Sequence, residues 1–238
     1  MERTRERPLP AGQIGLVHAI VFCVLAGVVG VGMLLAFVNA LSAALALFTI
    51  LLYVAVYTPL KPVTTLNTLV GAICGAVPPM IGWAAATGEL STGAWVLGAL
   101  LFVWQLPHFL ALAWMYRDDY ERGGFAMLPV KDPDGRVTGQ VVVLTSLMLL
   151  PIMLIAALTG LIGWVATIGS ALLGAWMLWL AIRFHHLRDR QSARQVFLAS
   201  IVYLSIVMVL VVVDQGAIGQ EMPTVHGVKL ASGERIPH

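Results

Sequence analysis

Along the chain, apolar runs of the length that spans a hydrocarbon core, roughly 20 residues, alternate with short polar breaks. Seven runs stand out, at residues 14–38, 41–56, 67–87, 94–115, 138–159, 161–182 and 195–214. The second is short, which predicts a compact helix or one tilted at its ends. The pattern predicts an all-α fold, a polytopic transmembrane helical bundle forming one domain over 1–214. Residues 215–238, rich in Gly and Pro and without an apolar period, are expected to form a flexible tail. Pro78, Pro79, Pro107 and Pro151 fall inside runs; each removes a backbone donor, so kinks are expected there.

Composition agrees with that reading. The 238 residues are 59% hydrophobic and 11% charged, and mean hydropathy is +0.90. A soluble domain carries charge on about a quarter of its residues. Cys23 and Cys74 both lie in apolar runs without metal-type spacing, and read as small packing residues. The first run is too long for a signal-peptide core and reads as retained.

Net charge is only +2, but its distribution is lopsided. Of the 14 Lys and Arg residues, 12 fall in the N-terminus and the loops at 57–66, 116–137 and 183–194, all on one side. The other side receives only Lys229 and Arg235. The excess of positive loops predicts a cytoplasmic N-terminus and an external C-terminus. Trp83, Trp95 and Trp164 fall near one set of run ends, Trp114 and Trp179 near the other, as interfacial belts would.

The basic side also holds the chemistry-bearing residues. In "YRDDYERGGFAMLPV", 116–130, both signs of charge gather beside the bilayer. One helical turn would put Asp118 and Glu121 on one face, with Asp119 turned away. Such carboxylates either share a hard cation such as Mg²⁺ with substrate phosphates, or form a solvated loop paired to Arg117 and Arg122. Arg3, Arg5 and Arg7 either anchor the chain on anionic lipid or offer guanidinium forks to a phosphorylated substrate. In "YTPLKPVTTLN", Tyr57, Lys61, Thr64, Thr65 and Asn67 form a third cluster, in which Thr65 or Asn67 reads equally as a helix cap. His108 lies inside the fourth run beside Pro107, one turn after Gln105. It is a candidate site residue, or a neutral histidine bonded to a neighbouring helix. His185 and His186 read as solvated at the surface. Carboxylates, cations and a Tyr above kinked apolar helices suit an amphipathic substrate with a diphosphate head and a lipid tail.

Three blocks carry a more specific signal: "RTRERPLPAG", "YTPLKPVTTLNTLVGAICGAVPPMIGW" and "WQLPHFLALAWMYRDDYERGGFAMLPV". Together they resemble the haem O synthase branch of the UbiA-type intramembrane prenyltransferases, over about residues 1–214. The resemblance implies transfer of a farnesyl group from farnesyl diphosphate to a vinyl group of haem b, with addition of water. Haem o and diphosphate result, with Mg²⁺ as cofactor. It implies haem b and farnesyl diphosphate as substrates, membrane lipid as surroundings, no nucleic acid, and haem A synthase as a partner downstream. The bacterial inner membrane is the expected location. Asp118 and Asp119 match the acidic part of the family's second Asp-rich loop, Asp119 the more firmly, with Glu121 as a third candidate metal ligand. Lys61 matches a basic loop position and is assigned with the two aspartates to catalysis. Arg3, Arg5 and Arg7, with Tyr57 and Arg122, are assigned to the diphosphate. His108 matches the "PH" of this branch, and its depth suggests a part in holding haem. The family has nine helices, and its first acidic motif precedes the arginine block. Two further spans and an Asp-rich loop are therefore expected upstream of Met1. A relative acting on a quinone precursor is the alternative. A transporter fits less well, because it should carry polar residues through several spans.

Overall fold

The structure, a computed structural model, describes residues 4–221, with side chains as far as residue 214. The described residues are helical and without strands. In order they form α1 (Leu16–Phe37), α2 (Ala40–Leu51), a π-helical segment (Leu52–Tyr57), α3 (Thr58–Leu60), α4 (Asn67–Thr87), α5 (Thr92–Met115), α6 (Arg117–Arg122), α7 (Leu128–Lys131), α8 (Arg136–Leu158), α9 (Trp164–Leu187) and α10 (Arg190–Glu221). Seven of these stretches are long and apolar enough to cross a bilayer, the second being Ala40–Leu60 taken through the π segment.

α5 is the hub, packing against α4, α8 and α10, while α9 packs against both α8 and α10. α1 rests on α2 at the edge, and no residue of α1 is buried. Two apolar clusters fill the bundle. One gathers Leu100, Leu149, Met153, Met177, Tyr203 and Val207; the other gathers Leu110, Trp114, Val142, Phe184 and Val196. Small residues and buried amides let the helices approach. The Gln105 amide donates to the Ala72 carbonyl at 2.7 Å, joining α5 to α4. Gly75 lies against that amide, where a Cβ would collide with it. Asn39 caps α2 by accepting from the Ser42 N–H, and donates to the Ala84 carbonyl at the end of α4, both at 2.8 Å.

The run boundaries hold to a few residues, with four differences. The expected loop at 183–194 is far shorter, because α9 continues to Leu187 and α10 begins at Arg190. Charged turns extend these helices past the apolar stretch that hydropathy detects. Asp189 caps the new start, accepting from the Ser192 N–H at 2.7 Å. Helix α10 runs on to Glu221, past residue 214, and the expected tail over 222–238 lies outside the described residues. Trp114 does not sit in an interfacial belt: it is 8% exposed and packs edge-on against Phe184. Neither Thr65 nor Asn67 caps α4. Its cap position is Leu66, without a side-chain bond, and Asn67 is turned to another use.

Candidate diphosphate and prenyl site

The π segment sets the geometry of the second cluster. Pro59 has no N–H, and its ring would strike the carbonyl four residues back, at Ala55. The helix widens over Leu52–Tyr57 instead, and the Thr58 hydroxyl donates to the Tyr53 carbonyl at 2.8 Å. Such π turns are frequent at functional sites. Here the turn brings Tyr53 and Tyr57 together, ring centroids 4.9 Å apart and planes tilted by 54°. The Lys61 ammonium lies 4.4 Å from the Tyr57 ring centroid and 5.4 Å from that of Tyr53, a cation held over two π faces.

Lys61 opens onto a cavity of about 310 Å³. Its polar lining is Arg7, Tyr57, Lys61, Asn67, Thr68 and Tyr120; its apolar lining includes Phe109, Leu112, Phe125 and Met127. Successive turns over residues 4–14 wind the N-terminal segment, with Arg7 N–H donating to Thr4 and Ala11 N–H to Arg7, and carry Arg7 to the rim. Gly71 makes room for Tyr57: a Cβ there would lie 2.8 Å from the ring.

Asn67 holds the cavity together. It is 1% exposed, and its side-chain amide donates to the Thr64 carbonyl at 2.6 Å and the Ala126 carbonyl at 2.9 Å. The Ala126 N–H in turn donates to the Lys61 carbonyl at 2.8 Å. The loop carrying Lys61 and the loop after Gly123–Gly124 are thereby fastened to each other across the cavity. Gly124 has φ of 70°, which lets the chain turn into that loop.

The acidic cluster is placed differently. α6 does bring Asp118, Asp119 and Glu121 onto one short helix, from which Tyr120 reaches the cavity. None of the three carboxylates is among the cavity's lining residues. Asp119 is paired with Arg122, whose guanidinium donates to its Oδ1 at 2.6 Å; the Asp119 side chain is 15% exposed. Asp118 is 83% exposed and 3.6 Å from Arg117. Arg117 itself lies over the Trp114 ring and donates to the Pro133 carbonyl. Glu121 is exposed. Among the described residues no three His, Cys, Asp or Glu side chains converge as a metal cage. The donor type nevertheless fits Mg²⁺, a hard cation that accepts one or two carboxylates and completes its shell with water and substrate phosphates.

Of the other expected residues, Arg5 is exposed near Arg7, and Arg3 lies outside the described residues. His108 is half-buried one residue before Phe109 on α5, bonded to Ser200 of α10 and not among the lining residues. Sequence reasoning passed over Asn67 as a clamp, Gly71 as a gap and Tyr120 as a wall. A small residue four positions after Asn67 was a local signal for Gly71. Nothing local announced a bond from Asn67 to a carbonyl 59 positions away.

Residues 1–207 match the UbiA prenyltransferase family. The chain belongs to that family. It is 44% identical to the protoheme IX farnesyltransferase of Solibacter usitatus, the match covering 90% of this chain and 74% of that one. It is 45% identical to the protoheme IX farnesyltransferase of Salinibacter ruber, covering 90% and 76%. The human mitochondrial protoheme IX farnesyltransferase is 41% identical over 88% of this chain and 47% of its own length. Two solved structures share the fold. A digeranylgeranylglyceryl phosphate synthase superimposes with a TM-score of 0.75 at 16% identity, covering 90% of this chain and 76% of that one. A UbiA homologue from Aeropyrum pernix K1 gives a TM-score of 0.68 at 18% identity, covering 90% and 78%.

Proposed function

We propose that this prenyltransferase moves the farnesyl group of farnesyl diphosphate onto a vinyl group of haem b, water completing the product as haem o. The observation that carries the reading is the cavity's two-sided lining. Arg7, Lys61, Tyr57 and Tyr120 offer donors at its mouth, and Phe109, Leu112, Phe125 and Met127 offer carbon beneath. A diphosphate joined to an isoprenoid has the same division. The names of the relatives supply the acceptor.

In this reading the C1–O bond of farnesyl diphosphate breaks, and its electron pair leaves with the diphosphate. Lys61 and Arg7 neutralise that growing negative charge, which lowers the barrier most where water is excluded. The Tyr57 and Tyr53 faces hold the ammonium in place before substrate arrives, so little reorganisation is needed. The aromatic and aliphatic wall keeps water from the allylic cation until the vinyl carbon has added to C1. Water then bonds to the adjacent carbon and loses a proton, giving the hydroxyl. Mg²⁺, when bound, would supply further positive charge to the diphosphate, with Asp119 as its carboxylate from this face. Arg122, released from Asp119, would be free to meet a phosphate oxygen as a fork. The charge asymmetry of the loops supports a cytoplasmic position for this end in a bacterial cell membrane. Release of haem o here suits handover to a haem A synthase.

The test is incubation of membranes holding the protein with haem b, farnesyl diphosphate and Mg²⁺, followed by haem extraction, chromatography and mass spectrometry. A haem gaining the mass of one farnesyl hydroxyl addition is expected. Prenylation of an aromatic quinone precursor, with haem b left unchanged, would overturn the reading in favour of the alternative acceptor.

A further inference from the structure

His108 stands in a setting that fixes which of its nitrogens is available. Its Nδ1 is 2.8 Å from the Ser200 hydroxyl oxygen on α10. That hydroxyl has one hydrogen, and donates it to the Phe197 carbonyl at 2.6 Å. Toward His108 the Ser200 oxygen can therefore only accept, so Nδ1 carries the ring hydrogen. The neutral ring then holds its lone pair on Nε2, since Nδ1 is the nitrogen that meets Ser200. Trp104 makes the arrangement rigid: its indole N–H donates to the Ser200 carbonyl at 2.7 Å.

Two aromatic rings flank the imidazole almost in parallel. Trp104 stacks at 5.1 Å and 23°, and Phe197 at 4.7 Å and 29°. A hydrogen bond at one imidazole nitrogen that sets the tautomer and frees the other is the arrangement of a metal-ligating histidine. An imidazole ligand stands upright on a porphyrin face, so Trp104 and Phe197 would meet the same face edge-on, a favoured aromatic geometry.

We infer that Nε2 of His108 is an axial ligand to the iron of the haem substrate, with Ser200 as the positioning residue that sets the tautomer. The inference rests on the reading of haem b as acceptor. It also explains how a planar acceptor could be held next to the prenyl site. Phe109 packs edge-on to His108 at 5.4 Å and lines the cavity, and Leu112 lines it one turn further along α5. A porphyrin held at His108 lies beside that wall, where a peripheral vinyl group can face the cavity.

The experiment titrates the detergent-solubilised protein with ferric haem b, and in parallel with metal-free protoporphyrin IX, followed by Soret absorption and electron paramagnetic resonance. The wild type is expected to give a histidine-ligated iron spectrum. His108→Ala should lose that spectrum and regain it with added imidazole, while metal-free protoporphyrin IX binds both proteins alike. Ser200→Ala, which leaves the ligand in place, should keep the spectrum and bind haem b about 10- to 100-fold more weakly. An unchanged histidine-ligated spectrum in His108→Ala would overturn the ligand assignment and leave haem farnesylation standing. Equal haem affinity in Ser200→Ala and wild type would overturn the positioning role. No haem binding by a wild type that prenylates another acceptor would overturn both this inference and the reading it rests on.

Discussion

At one end of α4 and α5, a cavity of about 310 Å³ is walled by Arg7, Tyr57, Lys61, Asn67, Thr68 and Tyr120 over an aromatic and aliphatic floor. At the other end of the same two helices, a cavity of about 440 Å³ is lined almost wholly by carbon, with Trp83 and Thr87 its only side chains bearing nitrogen or oxygen. Even that indole is spent locally, donating to the Ser91 hydroxyl at 2.8 Å. Volume alone does not separate the two; the difference is polar groups held ready. The far cavity can hold a chain but has nothing with which to draw off a leaving group. Only the charged end joins cations, hydroxyls and a carbon floor in one space.

The largest expected effect breaks the charged end directly. Lys61→Ala removes the ammonium over Tyr57 while leaving the buried helices untouched. Turnover to haem o should fall about 10²- to 10³-fold, as when one preorganised charge-stabilising donor is lost. Asp119→Asn should also abolish most product at limiting Mg²⁺, since a carboxamide neither binds the cation well nor pairs with Arg122. Product chromatography on membranes with matched protein levels measures both. Full haem o yield from Lys61→Ala would mean that the cavity's charge is not what drives diphosphate departure.

A smaller effect is expected from the clamp. Asn67→Ala strands the buried carbonyl of Ala126, at a cost of about 1–3 kcal/mol, while Thr64 keeps the Asn67 backbone N–H. The loops bearing Lys61 and Ala126 are then joined only by the Ala126 N–H bond to the Lys61 carbonyl and shift, and turnover should drop about tenfold through misplacement. Asn67→Asp keeps the shape but offers acceptors where donors are needed, so it should do no better than Ala. Thermal unfolding and turnover, measured together, distinguish a clamp from a spectator: near-wild-type values for Asn67→Asp would remove Asn67 from the site.

How far the sequence carried can be judged from these same residues. The seven runs, the sidedness of charge and the short helical turn at Asp118–Glu121 were all local patterns, and hydrophobic periodicity reads those well. Tyr57 and Lys61 were legible as chemistry because unusual residues stand out beside a bilayer. Asn67 and Gly71 were not, because their importance comes from a loop on the far side of α5 and from a Tyr ring displaced by the π turn. The start of α10 at Arg190 was missed because hydropathy follows the lipid-facing stretch, whereas the helix follows its cap. The mixed charge at 116–122 had two readings, and the local pairing is the one seen: Asp119 and Arg122 are a pair on the helix that brings Tyr120 to the cavity.

A matched pair of glycines sharpens the contrast between the ends. A Cβ at Gly71 would lie 2.8 Å from the Tyr57 ring, and one at Gly98 would lie 2.8 Å from the Met80 sulfur. The steric insult is equal in distance and different in kind. Met80 is flexible and away from the polar cavity, so Gly98→Ala should cost about 1 kcal/mol of stability or less and leave turnover unchanged. Tyr57 is a stiff ring under the Lys61 ammonium, so Gly71→Ala should reduce turnover severalfold with a similar small loss of stability. Equal turnover in the two variants would show that the Tyr57 position is not critical.

The smallest effect concerns a charge on the polar side that lies outside the cavity. Asp189 caps α10, accepting from both the N–H and the hydroxyl of Ser192 at 2.7 Å. These bonds, the hydroxyl's first, hold its carboxyl below the usual aspartate range, with Arg183 adding a smaller push in the same direction. A carboxyl whose native value is depressed binds its proton more readily when unfolded. Its stabilising share is therefore present above the unfolded value, about 4, and fades as pH falls from there through the native value. Asp189→Ala should lower stability by about 1 kcal/mol at neutral pH, the usual worth of such a cap, and the gap from wild type should close in strongly acid solution. Turnover at neutral pH should stay within twofold of wild type, because Asp189 touches neither the cavity nor His108. Unfolding curves from neutral pH down to about 3, set beside a single turnover measurement, test both halves. A gap that persists unchanged through the acid range would mean the cap works without its charge. A large loss of turnover would mean that charge anywhere on this side feeds the reaction, and the division between the two ends of α4 and α5 would lose its meaning.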